Sequence, residues 1–133
     1  MKVVLDTNVF VSGIFWSGPP YEILTAWRDG ELELVLSLKI LEEYVRIAVE
    51  LSREFLTVDL FPFIGLLTTR GNICIPKRLP RQICRDPSDD QFLECALGGN
   101  TRCIVSGDRQ LLAVSGYKGI EILKPREFVN RYL

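Results

Sequence analysis

MKVVLDTNVF, residues 1–10, runs the aliphatic Val3, Val4 and Leu5 straight into Asp6, Thr7 and Asn8. Residues 2–5 read as a short buried strand, and a carboxylate at the mouth of such a strand is costly unless something compensates its charge. Working outward, the same arrangement recurs at TRCIVS, residues 101–106, an apolar strand with Asp108 just beyond it. Strands alternate with helices between and after these two points. The pattern predicts a helix over 20–28 behind a WSGPP loop, a strand over 32–37, a helix over 38–54 and an apolar helical stretch over 58–70. A strand over 72–76 follows, then a helix that Asp86 caps and Pro87 opens, ending at Gly98, Gly99 and Asn100. After the 101–106 strand come a short helix, a strand over 120–123 and a terminal helix over 125–133. This is the alternation of a parallel sheet covered on both faces, an α/β fold. No repeat or linker divides the chain, and 133 residues suit one domain, taken as 1–133.

Composition narrows the chemistry. There is no histidine, which removes the commonest general base, the Ser-His-Asp relay and most zinc sites. The four cysteines, at 74, 84, 95 and 103, lack the close pairing of a zinc site and are read as reduced, partly buried thiols. No apolar run approaches a membrane span and the first residues do not form a secretory signal, so a cytoplasmic protein is expected. Any hydrolysis here has to use carboxylates and a hard metal ion.

In a sheet of this kind ligands bind beyond the carboxyl ends of the strands, where Asp6 and Asp108 both fall. Each also suits a helix cap or a turn. In the helix from 38, the apolar face centres between Leu41, Tyr44 and Leu51; Glu43 borders it, whereas Glu42 points away to solvent. In the segment 86–97, Asp86, Asp89, Asp90, Leu93, Ala96 and Leu97 share one side. Asp86 and Asp89 fit a capping arrangement at a helix N-terminus, where negative charge is favoured. Asp90 sits further in on the buried side, so it is taken as the ligand. Asp6, Glu43, Asp90 and Asp108 then form a four-carboxylate cluster that repels itself unless a divalent cation neutralises it. An all-oxygen set of this type suits Mg²⁺ or Mn²⁺, and the matching reaction is phosphodiester hydrolysis.

Four stretches carry a family resemblance: VVLDTNVFVSGI, LVLSLKILEEYVRI, RDPSDDQFLECAL and CIVSGDRQLL, in that order. The chain resembles PIN-domain proteins over nearly its whole length, and among them the single-domain toxins of bacterial and archaeal toxin-antitoxin pairs. The resemblance implies a three-layer α/β/α sandwich and a Mg²⁺- or Mn²⁺-dependent ribonuclease. It assigns catalytic and metal-binding roles to Asp6, Glu43 of the S-x5-E pattern, Asp90 and Asp108. Asp90, not Asp89, keeps the separation from Asp108 that similar sequences show. Asn8 and Ser106 match positions that hydrogen-bond the acids, and with Asp86 and Asp89 they are assigned supporting roles around the ligands. Many relatives carry an acid or asparagine where this chain has Gln110, which keeps open an alternative: a PIN-like scaffold that binds RNA or a protein partner without cutting. A phosphoaspartyl or receiver-type site would need an acid two residues after Asp6, or an acidic pair, and a lysine at a later strand end; Asn8 stands at the first position and no lysine follows the 101–106 strand.

Single-stranded RNA has to be gripped through its phosphates. PKRLPRQICR supplies Lys77, Arg78, Arg81 and Arg85 within nine residues that include no acid, directly before the acidic helix. Arg102 and Arg109 stand near the same rim, and Trp16 and Tyr21 are aromatic candidates for stacking on a base, with packing as the alternative. The apolar region 55–67 either completes the core or buries a dimer contact. The resemblance favours a homodimer, and implies an antitoxin protein as partner.

Overall fold

The computed structural model describes residues 1–133. In chain order the elements are β1 (Lys2–Leu5), α1 (Thr7–Phe15), α2 (Pro19–Arg28), β2 (Glu33–Leu36), α3 (Leu38–Ser52), α4 (Phe61–Arg70) and β3 (Asn72–Ile73). They continue as α5 (Asp90–Gly98), β4 (Cys103–Val105), α6 (Arg109–Leu112), β5 (Glu121–Leu123) and α7 (Pro125–Tyr132). All five strands are parallel, in the order β3-β2-β1-β4-β5. The chain runs from β1 outward through β2 to β3, then crosses to β4 on the other side of β1 and on to β5. The expected sandwich of helices around a parallel sheet is what forms.

The strands read as unbroken apolar runs because both sheet faces are covered. Val3, Val4 and Leu5 of β1, Leu34, Val35 and Leu36 of β2, and Ile104 and Val105 of β4 are all buried. They belong to one core of 31 buried residues, in which Phe10 of α1 stacks on Tyr44 of α3 at 4.2 Å. All four cysteines are free. No helix is long and apolar enough to cross a membrane.

Two departures from the sequence reading have local causes. Helix α1 was not anticipated, because TNVFVSGIF is rich in β-branched residues with weak helix preference. Burial of Val9, Phe10 and Val11 outweighs that preference. Gly13 makes the packing feasible, since a Cβ there would stand 2.7 Å from the Leu24 side chain and the Pro20 carbonyl oxygen of α2. The strand expected over 72–76 shortens to Asn72–Ile73. Beyond it the backbone passes so near the end of α5 that a Cβ on Gly98 would lie 2.0 Å from the Ile75 carbonyl oxygen.

Candidate active site

The order of the strands reverses between β1 and β4, which opens a crevice at their carboxyl ends. Asp6 leaves β1 there. Its backbone N–H donates to the Val105 carbonyl at 2.9 Å, which ties it to the neighbouring strand. One carboxylate oxygen, Oδ1, accepts from the Asn8 N–H at 3.3 Å and caps α1. The other, Oδ2, accepts from the Ser106 hydroxyl at 2.5 Å. Ser106 is fully buried, and its oxygen in turn accepts from the Asp108 N–H at 3.0 Å. Asp108 caps α6 by accepting from the Gln110 N–H, also at 3.0 Å. One buried hydroxyl therefore links the two strand-end acids. Both are helix caps as well as members of the rim.

Glu43 reaches the same place from α3. Ser37 caps that helix by accepting from the Ile40 N–H at 3.2 Å, as its position after β2 predicts. Tyr44 then sets the helix's rotation: it is completely buried, and its hydroxyl donates to the Leu5 carbonyl, one residue before Asp6. With Tyr44 locked, Glu43 faces Asp6. The Thr7 hydroxyl donates to Glu43 Oε2, and the Gln91 amide stands 3.5 Å from Oε1. Arg46, one turn on, is 3.9 Å from the same carboxylate. Glu42 is exposed.

The start of α5 carries three further acids, Asp86, Asp89 and Asp90. Asp86 caps a single 3₁₀ turn, Pro87–Asp89, by accepting from the Ser88 N–H at 3.0 Å. Asp89, at the end of that turn, lines a cleft of about 190 Å³ together with Asp6, Thr7, Asn8, Glu43 and Gln91. Neither Asp90 nor Asp108 lines it. The two carboxylate oxygens of Asp90 accept from the backbone N–H groups of Cys84, at 2.7 Å, and Ile83, at 3.2 Å. Asp89 thus faces Asp6 and Asp108, whereas Asp90, expected in the cluster, faces the basic connector.

The charges of these acids act on one another. Burial raises the Asp6 carboxyl above its usual range, Ser106 and Asn8 pull against that, and the nearby charges of Asp108 and Glu43 push it further up. Asp89 is pushed up to about 7, first by burial and then by Asp108, Asp86 and Asp6. The Cys84 thiol is pushed up to about 12 by burial and by the carboxylates of Asp90, Asp89 and Asp108. The last residues of the connector thus lie against the acids. Lys77, Arg78, Arg81 and Arg85 are exposed, and none has a carboxylate within ion-pair distance.

A family profile described as the PIN domain matches residues 2–110. The chain belongs to the PIN-domain family. PIN domains are generally nucleases and generally use divalent metal ions. No curated protein matches the chain. The match ends at Gln110, so the PIN profile covers every acid described above.

Other expectations about this PIN domain resolve as follows. Ser106 hydrogen-bonds Asp6 through its side chain, while Asn8 does so through its backbone N–H and leaves its side chain exposed. Gln110 likewise contributes its N–H to Asp108. Trp16 packs edge-on against Phe55 at 5.5 Å, and Tyr21 lines an apolar groove between α2 and α4 that contains no acid. Thr7, Tyr44 and Gln91 were missed as site residues. Gln91 had a visible signal, a polar side chain among the apolar positions Phe92, Leu93 and Cys95; its Oε1 is buried without a hydrogen-bond partner and its Nε2 reaches Glu43.

Proposed function

We propose that this PIN domain is a metal-dependent endoribonuclease whose site comprises Asp6, Glu43, Asp89 and Asp108. The observation that carries the reading is the Ser106 hydroxyl, buried between Asp6 and the Asp108 backbone, which holds two strand-end acids together at the switch point of the sheet. Burial raises both Asp6 and Asp89, and neighbouring charges add to it, Asp108 and Glu43 on Asp6 and Asp108, Asp86 and Asp6 on Asp89, so these acids are a donor set in need of a cation. The donors are all oxygen, which suits Mg²⁺ or Mn²⁺. No three carboxylates or thiols stand close enough to cage an ion directly. Mg²⁺ does not require such a cage: it keeps several waters and takes one or two carboxylates from the protein. Asp6 and Asp108 are the residues that would hold the ion, with Glu43 and Asp89 as the neighbouring acids.

When bound, such an ion neutralises charge on the scissile phosphate and makes a hydroxide available near neutral pH. The chain's own groups perform the positioning. Ser106 and the Asn8 N–H hold the two oxygens of Asp6 and so fix the orientation of its carboxylate. Thr7 does the same for Glu43. The N-termini of α1 and α6, capped by Asp6 and Asp108, direct N–H groups toward the acids and ease their crowding. The likeness to toxin-class PIN proteins supports a role in a toxin-antitoxin pair, with an antitoxin as partner and a homodimer as the assembly.

The test is cleavage of a long single-stranded RNA by the purified protein with Mn²⁺, Mg²⁺ or chelator, beside an Asp6→Asn control. Cleavage that needs the metal and vanishes in the control is expected. Absence of cleavage with every divalent ion would leave the scaffold reading in its place.

A further inference from the structure

We infer that Asp90 is a positioning residue, which together with Glu94 clamps the 77–85 connector onto α5 so that its cations form a track for the phosphates of single-stranded RNA. The inference rests on the ribonuclease reading for its substrate, and on separate contacts for its geometry. Asp90 and Glu94 lie one helical turn apart on α5. Asp90 accepts from the N–H groups of Ile83 and Cys84, and Glu94 Oε2 accepts from the Leu79 N–H at 3.1 Å. The Glu94 backbone carbonyl accepts from the Lys77 N–H at 2.9 Å. Two carboxylates thus satisfy three N–H groups of a segment that forms no helix or strand. Such charge-assisted bonds are about twice as strong as neutral ones.

The clamp uses the backbone and leaves the side chains free. Leu79 and Cys84 turn inward, while Lys77, Arg78, Arg81 and Arg85 remain exposed and unpaired. The connector ends at Cys84, whose thiol feels the charge of Asp89 and Asp108. A polyanion entering an acidic cleft meets repulsion from the acids, and four free cations leading to that cleft offset it. A carboxylate at position 90 therefore acts on the substrate through the cations it positions, without touching the substrate.

The experiment measures binding of a fluorescent single-stranded oligouridylate, over a salt series, in an Asp6→Asn background without metal. Asp90→Asn is expected to weaken binding on the order of tenfold and to flatten the salt dependence by at least about 0.7 in log–log slope, one phosphate contact on a single strand. Hydrogen exchange at the Ile83 and Cys84 amides is expected to accelerate in the same variant. Replacing Lys77, Arg78, Arg81 and Arg85 by Gln, all exposed and so harmless to folding, should reproduce the loss. Adding Asp90→Asn to that quadruple variant should then change nothing further. In the metal-loaded enzyme with native Asp6, Asp90→Asn should raise KM and spare kcat. Unchanged oligouridylate binding in either Asp90→Asn or the quadruple variant overturns the inference, as does an additional loss when they are combined. Binding that behaves as described in a protein that never cuts RNA would remove the ribonuclease reading and leave the clamp standing.

Discussion

On the β1/β4 side of the cleft, Asp6 and Asp108 hang from buried strand ends and share one hydroxyl with no exposure to solvent. On the α5 side, Asp89 closes a single 3₁₀ turn whose Pro87 and Ser88 are exposed, and its carboxyl meets that of Asp108 rather than a backbone N–H. The strand side is thus tied to backbone and hydroxyl donors. The helix side lacks such donors, and its carboxyl is the one pushed up to about 7, by burial first and then by Asp108. A site built this way keeps two acids in fixed register and leaves a third free to adjust its protonation and direction to whatever cation and phosphate arrive.

The most forceful way to break that comparison is to exchange the roles of the adjacent aspartates. Asp89→Asn is expected to lower kcat for metal-dependent RNA cleavage by on the order of a thousandfold, as loss of a charge-stabilising group does. Asp90→Asn is expected to act on KM. Equal losses of kcat in single-turnover assays would return Asp90 to the cluster and remove Asp89 from its special place.

The strand side is probed by Ser106→Ala. A buried Asp6 oxygen would lose its donor, so stability should fall by about 1–3 kcal/mol in urea unfolding. Cleavage should drop about 10- to 100-fold, the range for removal of a ligand's orienting partner. Wild-type cleavage in this variant would show that the shared hydroxyl does not hold the acids in register. A milder perturbation is Thr7→Val, which frees Glu43 from its hydroxyl donor and should slow cleavage by roughly tenfold, the lower end of the same range. Because Glu43 keeps Gln91 and Arg46 nearby, little change in folding stability is expected.

The smallest effect is on pH dependence. Asp89 titrates near 3.8 when unfolded and about 7 when folded, so between those values the folded protein holds the extra proton. Stability of the metal-free protein should therefore decline as pH rises from about 4 to about 7, and Asp6, raised in the same direction, should add to the slope. Thermal melts in chelator should show the decline, and Asp89→Asn should flatten it. Saturating Mn²⁺ should also flatten it, since a cation takes over the role of the proton. A melting temperature that climbs across this interval without metal would contradict the assigned environment of Asp89.

Glu43 was legible because α3 is long and regular: counting about 100° per residue from Leu41, Tyr44 and Leu51 separates it cleanly from Glu42. The same count did not separate Asp89 from Asp90, which it put on one side; the capping reading of Asp89 and the spacing to Asp108 selected Asp90 instead. A 3₁₀ turn rotates by about 120° per residue, so the α-helical phase does not carry back through Pro87–Asp89 to tell the two acids apart. Tyr44 was read correctly as core, but its hydroxyl bond to Leu5 spans 39 positions and leaves no periodic mark. The partners of Asp90 lie six and seven residues back in irregular chain, where no repeat announces them.

By itself the sequence determined the parallel sheet, its alternation with helices, and the delivery of Asp6 and Asp108 to one rim, because apolar runs of strand length followed by an acid carry that information locally. Only the tertiary structure decided which of two neighbouring aspartates joins them. That choice depends on the rotation of one short turn and on a connector whose backbone N–H groups needed acceptors, and both are settled by packing between segments distant in the chain.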